Sequence, residues 1–96
     1  MANLEEAAQR LLRALNEHQA HDREGATVNP GDQEARDAGL RVSSTHYRAA
    51  IWWLLDVGAL VPDEEANEQL RNAVGAQHRG FAFKITRRGL NMLHRV

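Results

Sequence analysis

The chain has 96 residues, of which 43% are hydrophobic, with no cysteine and a formal net charge of −1 at pH 7. This length supports one small domain, and no apolar run approaches the roughly 18 residues that a membrane-spanning helix needs. The lack of cysteine excludes disulfides, thiolate nucleophiles and cysteine-ligated metals. The beginning of the chain, which contains Glu5 and Glu6, is unlike a secretory leader. We therefore expect a single domain over residues 1–96, located in the cytoplasm.

The first predicted helix covers about residues 3–22. Asn3 and Glu6 form a capping-box pattern at its start, and apolar residues then recur at helical spacing. That stripe consists of Leu4, Ala8, Leu11, Leu12 and Leu15. The segment Ala26–Val28 is a candidate for a minimal strand. A second, short helix is predicted at about 32–39, capped by Asp32 and ended by Gly39 in a left-handed conformation.

The second half of the chain begins with a helix at about 44–57, which Ser43 or Ser44 caps and Gly58 ends. Short strands are predicted at about 59–61 and 81–85, since Phe83 and Ile85 alternate with polar or small residues. The polar segment between these strands is helix-tolerant at its start. Thr86 caps a closing helix at about 86–95. The fold class is therefore α+β and mostly helical, with a small β-hairpin that packs against the helices.

Charge is divided unevenly along the chain. Residues 1–68 contain six arginines and all 13 acidic residues, whereas residues 69–96 contain six basic residues and no acid. This asymmetry indicates either an end that binds a polyanion or a basic end that packs on the acidic remainder. Composition alone leaves both interpretations open.

Two passages resemble winged helix-turn-helix DNA-binding domains, of the MarR-like or PadR-like kind. YRAAIWWLLDVGALV, residues 47–61, is similar to the recognition helix and the strand after it. FAFKITRRGLNML, residues 81–93, is similar to the last wing strand and the closing helix, and QEARDAGL, residues 33–40, adds the spacing typical of the preceding helix. The resemblance implies a three-helix core, a β-hairpin wing and a C-terminal helix, in a dimeric transcriptional regulator that binds double-stranded DNA.

The third helix would present two different faces. The face predicted to lie in the core contains Tyr47, Ala50, Ile51, Leu54, Leu55 and Gly58. The opposite face begins with small polar residues and then carries Trp52, while Trp53 lies on a flank and can tuck against the margin of the core. An outward indole is typical of an interface. The alternative is that the first helix or the wing covers Trp52.

Candidate DNA-binding residues lie in three places, and DNA binding requires that they share one positive, solvent-accessible surface. The resemblance implies that the first turns of the third helix enter the major groove, which gives Ser44, Thr45, His46 and Arg48 access to phosphates or base edges. At the wing, residues 75–80, and at the start of the closing helix, backbone contacts are expected from Gln77, His78, Arg79, Arg87 and Arg88. Three alternatives remain open: one serine is only a helix cap, Arg48 forms an exposed ion pair, and the later arginines are solvated charges.

A second hypothesis from a different class is a protein-interaction module. In that case Trp52 and the acidic loop 63–68 dock on a partner or a second copy of the chain, and DNA is not bound. The carboxylates of that loop would repel phosphate, so only the later part of the wing could approach DNA. A ligand-responsive sensor is a weaker third hypothesis, since nothing in the sequence locates a pocket.

No catalytic or metal-binding pattern stands out. His18, His21 and Asp22 have helical metal-ligand spacing, but His18 continues the apolar stripe of the first helix, which favours a histidine at the edge of the core. The serines and His46 near residue 44 lack a placed acid, and no glycine-rich phosphate loop is present. We therefore expect neither an enzyme nor a bound cofactor or metal.

Overall fold

The computed structural model describes residues 3–74 and 82–94, which form an α+β fold that is mostly helical. The helices are α1 (Leu4–Leu15), α2 (Asp32–Asp37), α3 (Thr45–Asp56), α4 (Glu64–Val74) and α5 (Arg87–Leu93). The strands are β1 (Thr27–Val28), β2 (Leu60–Pro62) and β3 (Phe83–Ile85). A π-helical turn, Asn16–Ala20, continues α1. Within these described ranges no helix is long and apolar enough to cross a membrane.

The three strands form one antiparallel sheet in the order β1–β3–β2. Leu60 faces Ile85 across one pair of strands, and Val28 faces Phe83 across the other. The candidate strand after α1 is thus confirmed, and it adds a third strand to the expected hairpin. Phe83 and Ile85 are buried while Lys84 between them is exposed, as the alternating pattern of this segment predicts.

The core lies between α1, α3 and the sheet. Its largest fully buried side chains are Leu11, Leu12, Leu15, Val28, Leu54, Leu60 and Ile85. Leu4, predicted to belong to the same stripe, is instead 39% exposed, because it opens α1 beyond the edge of the packed layer. Burial of these leucines orients α1 against α3, and that contact sets which side of α3 remains in solvent.

The ends of the helices follow local capping chemistry. Asn3 Oδ1 accepts the Glu6 N–H at 2.8 Å, and Ser44 Oγ accepts the Tyr47 N–H at 3.1 Å. Gly58 ends α3 with a φ of +78°, a conformation that glycine adopts without a Cβ clash. Asp32 is not the cap of α2. The cap is Gly31, whose N–H donates to Glu34 Oε1 at 3.0 Å, so that the carboxylate three residues along does the capping.

Helix α4 occupies most of the polar segment between the strands predicted at about 59–61 and 81–85, of which the sequence indicates only that its start tolerates a helix. Asp63 is only 4% exposed and begins this helix, since its Oδ1 accepts the Ala66 N–H at 3.1 Å while Thr27 donates to its Oδ2. These hydrogen bonds, chiefly the one from Thr27, hold the pKa of Asp63 below its usual value. The Asn67 amide pairs with the backbone of Ala82 in both directions, at 2.6 and 3.1 Å. Asp63 and Asn67 therefore attach α4 to the edge of the sheet.

His18 makes an interhelical pair with Asp37, at 2.9 Å between Nε2 and Oδ2. The hydrogen bond from Asp37 raises the pKa of His18 above its ordinary value of 6.5. A raised folded-state pKa gives stability that is fully present below pH 6.5 and is lost as pH rises through the folded pKa. We therefore expect Asp37→Asn to lower the free energy of unfolding more at about pH 5.5 than at about pH 8.5. Urea unfolding at both pH values measures this; an equal effect at both would contradict the pairing.

Candidate nucleic-acid interface

The first two turns of α3 pack on the core with one side and expose the opposite side to solvent. Tyr47, Ala50 and Leu54 are buried, whereas Thr45 and Arg48 on the opposite side are exposed. The predicted core face is confirmed at these buried positions. The outward face of α3 is therefore solvent-accessible from its first residue onward.

The turn that leads into α3 has an unusual backbone. Ser43 has a φ of +69°, in the left-handed region that non-glycine residues occupy at some cost. Next to it, the Ser44 N–H donates to the Arg41 carbonyl at 3.0 Å. Ser44 is then the cap of α3, so its side-chain oxygen is already engaged by the Tyr47 N–H. Among the four residues predicted to contact DNA here, Thr45, His46 and Arg48 keep exposed side chains for that purpose.

Arg48 is free to bind an external anion. Its helix has no acidic residue in the first turn. Within residues 3–74 and 82–94, Arg48 forms no ion pair or side-chain hydrogen bond, and the same is true of Arg41. The described part of the chain therefore does not contain the exposed ion pair that the alternative interpretation of Arg48 predicts.

An open groove of about 570 Å³ lies beside the start of α3, between α1 and the end of α2. Its lining is partly apolar and partly basic, and includes Leu4, Ala7, Arg10, Leu40, Arg41 and His46. None of the described residues that line it is acidic. Arg10 and Arg41 are not recognisable as candidates from the sequence, because their spacing predicts only that each is exposed and not that folding brings them together.

Arg87 and Arg88 do not lie with this group. Arg88 donates to the carbonyl of Val57 at 3.1 Å, at the C-terminal end of α3. A helix of 12 residues is about 18 Å long, and this length separates Arg88 from Ser44. Arg87 pairs with Glu24, at 2.9 Å between Nε and Oε1. The expected cluster of these arginines with the first turn of α3 is therefore not observed, because the end of β3 leads α5 to the other end of α3. Gln77, His78 and Arg79 lie outside the described residues.

The two tryptophans separate as the helical pattern predicts. Trp53 is half-buried and packs against the core, while Trp52 is 66% exposed. Trp52 follows Arg48 by four residues and therefore lies on the same outward face of α3. Neither α1 nor the described part of the wing covers the indole. Any macromolecule that docks on this face meets both a guanidinium and an indole.

The acidic segment 63–68 differs from the loop that the sequence predicts. Asp63 is buried and engaged in capping, so it is not available to a partner. Glu64, Glu65 and Glu68 are exposed on the first turns of α4. The carboxylates thus belong to a helix surface, and one of the four is structural.

The histidines of the π-helical turn do not converge. His18 pairs with Asp37, whereas Asp22 accepts from His94 at 2.8 Å and from Asn16 at 2.8 Å. The hydrogen bonds to Asp22, first that from Asn16, lower its pKa. Among the residues that the structure describes, no three acidic or histidine side chains are placed to hold a metal ion. Of these three residues, His18 and Asp22 each pair with a residue that is distant in the chain.

Comparisons of the chain with models of known protein families, with curated proteins and with solved structures each find no match. What the molecule binds has to follow from the chemistry of its own surface. Among the described residues, the outward face of α3 combines an unpaired guanidinium, Arg48, with an exposed indole, Trp52, and a groove with two unpaired arginines lies beside it.

Proposed function

We propose that the chain is a winged-helix domain that binds double-stranded DNA through α3, as a small transcriptional regulator or the DNA-binding part of one. The order of its elements, α1–β1–α2–α3–β2–β3, and the sheet order β1–β3–β2 are compatible with that architecture, with α4 inserted in the wing. The regulator would act in the cytoplasm as a homodimer, the usual state of the regulators it resembles. The architecture supports the proposal by leaving α3 accessible along its length.

The observation that carries the proposal is the outward face of the first turns of α3. Thr45 and Arg48 are exposed there, with no carboxylate in the first turn and no ion pair to Arg48 from the described residues. The major groove is about 12 Å wide and admits one α-helix. In that position Arg48 can donate to guanine O6 and N7 or to a phosphate, and Thr45 and His46 can contact base edges or phosphates.

The wing would supply a second contact. Residues 75–80 follow the C-terminal end of α4, whose last turn carries Arg71, while the acidic residues are at its start. Gln77, His78 and Arg79 are the proposed contacts to the DNA backbone in this segment. The glutamates at the start of α4 would be repelled by phosphate, so we expect that end of α4 to point away from DNA.

A second candidate function is supported by Trp52. An indole that is 66% exposed on a helix face is typical of a protein interface. The chain would then be an interaction module that dimerises or docks on a partner through Trp52, with Glu64, Glu65 and Glu68 as a secondary contact and without DNA. This candidate leaves the unpaired Arg48 without a ligand, which is why DNA binding ranks first.

The test is a salt series of binding to a random-sequence duplex, monitored by tryptophan fluorescence. Because the chain has a net charge of −1, binding depends on local charge, and we expect it to appear at low salt. The logarithm of the binding constant should then fall linearly with the logarithm of salt concentration, with a slope of about −0.9 for each phosphate neutralised. Absence of binding at the lowest salt, together with shielding of Trp52 from a collisional quencher on self-association, would instead establish the interaction module.

A further inference from the structure

The groove beside the start of α3 brings together two arginines and a histidine from three separate parts of the chain. Arg10 comes from α1, Arg41 from the turn after α2, and His46 from α3. They meet because α1 packs against both α2 and α3. A convergence of this kind depends on the tertiary fold, and it places positive charge next to the helix that we propose enters DNA.

The two arginines have no direct partner in the described parts of the chain, although Arg10 also lines a shallow hollow with Glu17 and Asp37. Neither Arg10 nor Arg41 forms an ion pair or a side-chain hydrogen bond within residues 3–74 and 82–94. Two guanidinium groups on the lining of one groove attract an anion more strongly than either does alone. The groove therefore has the electrostatics of an anion site, with donors whose planar geometry matches phosphate oxygens.

We propose that this groove holds a backbone phosphate of bound DNA, with Arg10 and Arg41 as its donors. The inference rests on the proposed function, since the groove is bordered by Ser44 and His46 at the start of α3. A duplex that receives the first turns of α3 brings the phosphates flanking its major groove to this border. Leu4 and Ala7 in the same groove offer apolar contact to the deoxyribose next to that phosphate.

Arg13 provides a matched control on the same helix. It is exposed and unpaired within the described residues, as Arg10 is, and lies one turn further along α1. Both arginines line a shallow hollow that also contains Glu17 and Asp37, but only Arg10 also lines the groove. A substitution at Arg13 removes the same charge without touching the proposed phosphate site.

The experiment compares Arg10→Ala, Arg41→Ala and Arg13→Ala with the wild-type chain in binding to a random-sequence duplex across a salt series. A phosphate contact carries no sequence information, so no specific operator is needed. We expect the first two variants each to bind about fivefold or more weakly at low salt and to reduce the salt slope by about 0.9, and Arg13→Ala to bind within about twofold of wild type. Because all three side chains are exposed, thermal unfolding should be nearly the same in each variant.

A second arm separates DNA phosphate from a free oxyanion. Sodium phosphate is titrated at constant ionic strength without DNA, and the amide signals of residues around the groove are followed by NMR. Equal DNA binding by Arg10→Ala, Arg41→Ala and Arg13→Ala overturns the proposal, and a groove that also binds free phosphate would then be a site for a small anion. If DNA binding is lost only when Arg48 is changed, the proposed function survives and the groove does not; if the wild-type chain binds no DNA, both fail.

Discussion

Replacing Gly89 with alanine is expected to destabilise the fold by about 1–3 kcal/mol, although alanine has a higher helix propensity than glycine. Gly89 lies in the first turn of α5, where the helix passes close to β2. A Cβ built on Gly89 would be 2.5 Å from the Ala59 carbonyl oxygen and 3.2 Å from its carbonyl carbon. Both are backbone atoms, so neither can rotate away. Propensity alone predicts that alanine stabilises a helix interior by up to about 1 kcal/mol, so the sign of the change decides which effect dominates.

The neighbours of Gly89 make relaxation costly. Thr86 accepts the Gly89 N–H at 3.0 Å, and the Thr86 N–H donates to the Ala59 carbonyl at 3.1 Å. Moving α5 away from Ala59 would stretch the hydrogen bond from the Thr86 N–H and the one from Arg88 to Val57. Thermal unfolding measures the effect, with a decrease of roughly 4–8 °C in Tm for each kcal/mol in a domain of this size. Asn91→Ala, at an exposed position of the same helix, is the control and should be neutral or slightly stabilising. An unchanged or higher Tm for Gly89→Ala would contradict the close approach of α5 to β2.

Helix ends were predictable from the sequence because their chemistry is local. A cap is formed within three residues, as at Ser44 and Tyr47, so the amino-acid types alone indicate where α3 begins. The same is true of Gly58, where only a residue without a Cβ continues easily into the left-handed conformation. The error at Asp32 is small by comparison, since Gly31 and Glu34 cap the same helix one position earlier.

Helix α4 was not predictable because its anchors are distant in the chain. Its polar composition and the glycines after it are typical of a wing loop. What fixes it is the hydrogen bond from Thr27 to Asp63 and the pairing of Asn67 with Ala82. These partners come from β1 and from the residue before β3, the central strand, and no pattern within residues 63–74 indicates them. Tertiary contacts therefore decide the state of a segment whose local preference is weak.

One part of the candidate site was predictable from the sequence and another part was not. The exposure of Arg48 and Trp52 follows from the period of α3, and the structure agrees at both positions. The composition of the groove depends instead on how α1 crosses the start of α3, which spacing does not specify. The DNA-binding hypothesis grouped Arg87 and Arg88 with the start of α3, but the direction of β3 places Arg88 at the opposite end. A charge count along a chain carries no information about that direction.

Reversing the charge at Arg48 is expected to have the largest effect on DNA binding. Arg48 is exposed on the outward face of α3 and unpaired within the described residues. Glutamate there would remove a charge-assisted hydrogen bond and place a carboxylate against the phosphates that border the major groove. The combined loss is about 2–3.5 kcal/mol, or roughly 30- to 300-fold in affinity at low salt. Arg13→Glu carries the same change in net charge on α1, and we expect it to reduce affinity by less than about threefold.

The most direct test of DNA binding through α3 is the affinity ratio between these two variants for a short duplex at about 50 mM salt, where phosphate contacts are still strong. Circular dichroism and the Tm of each variant establish beforehand that both are folded. If α3 enters the major groove, Arg48→Glu binds at least about tenfold more weakly than Arg13→Glu. If the two variants bind equally, or if neither they nor the wild-type chain bind at all, the outward face of α3 is not a DNA-binding surface.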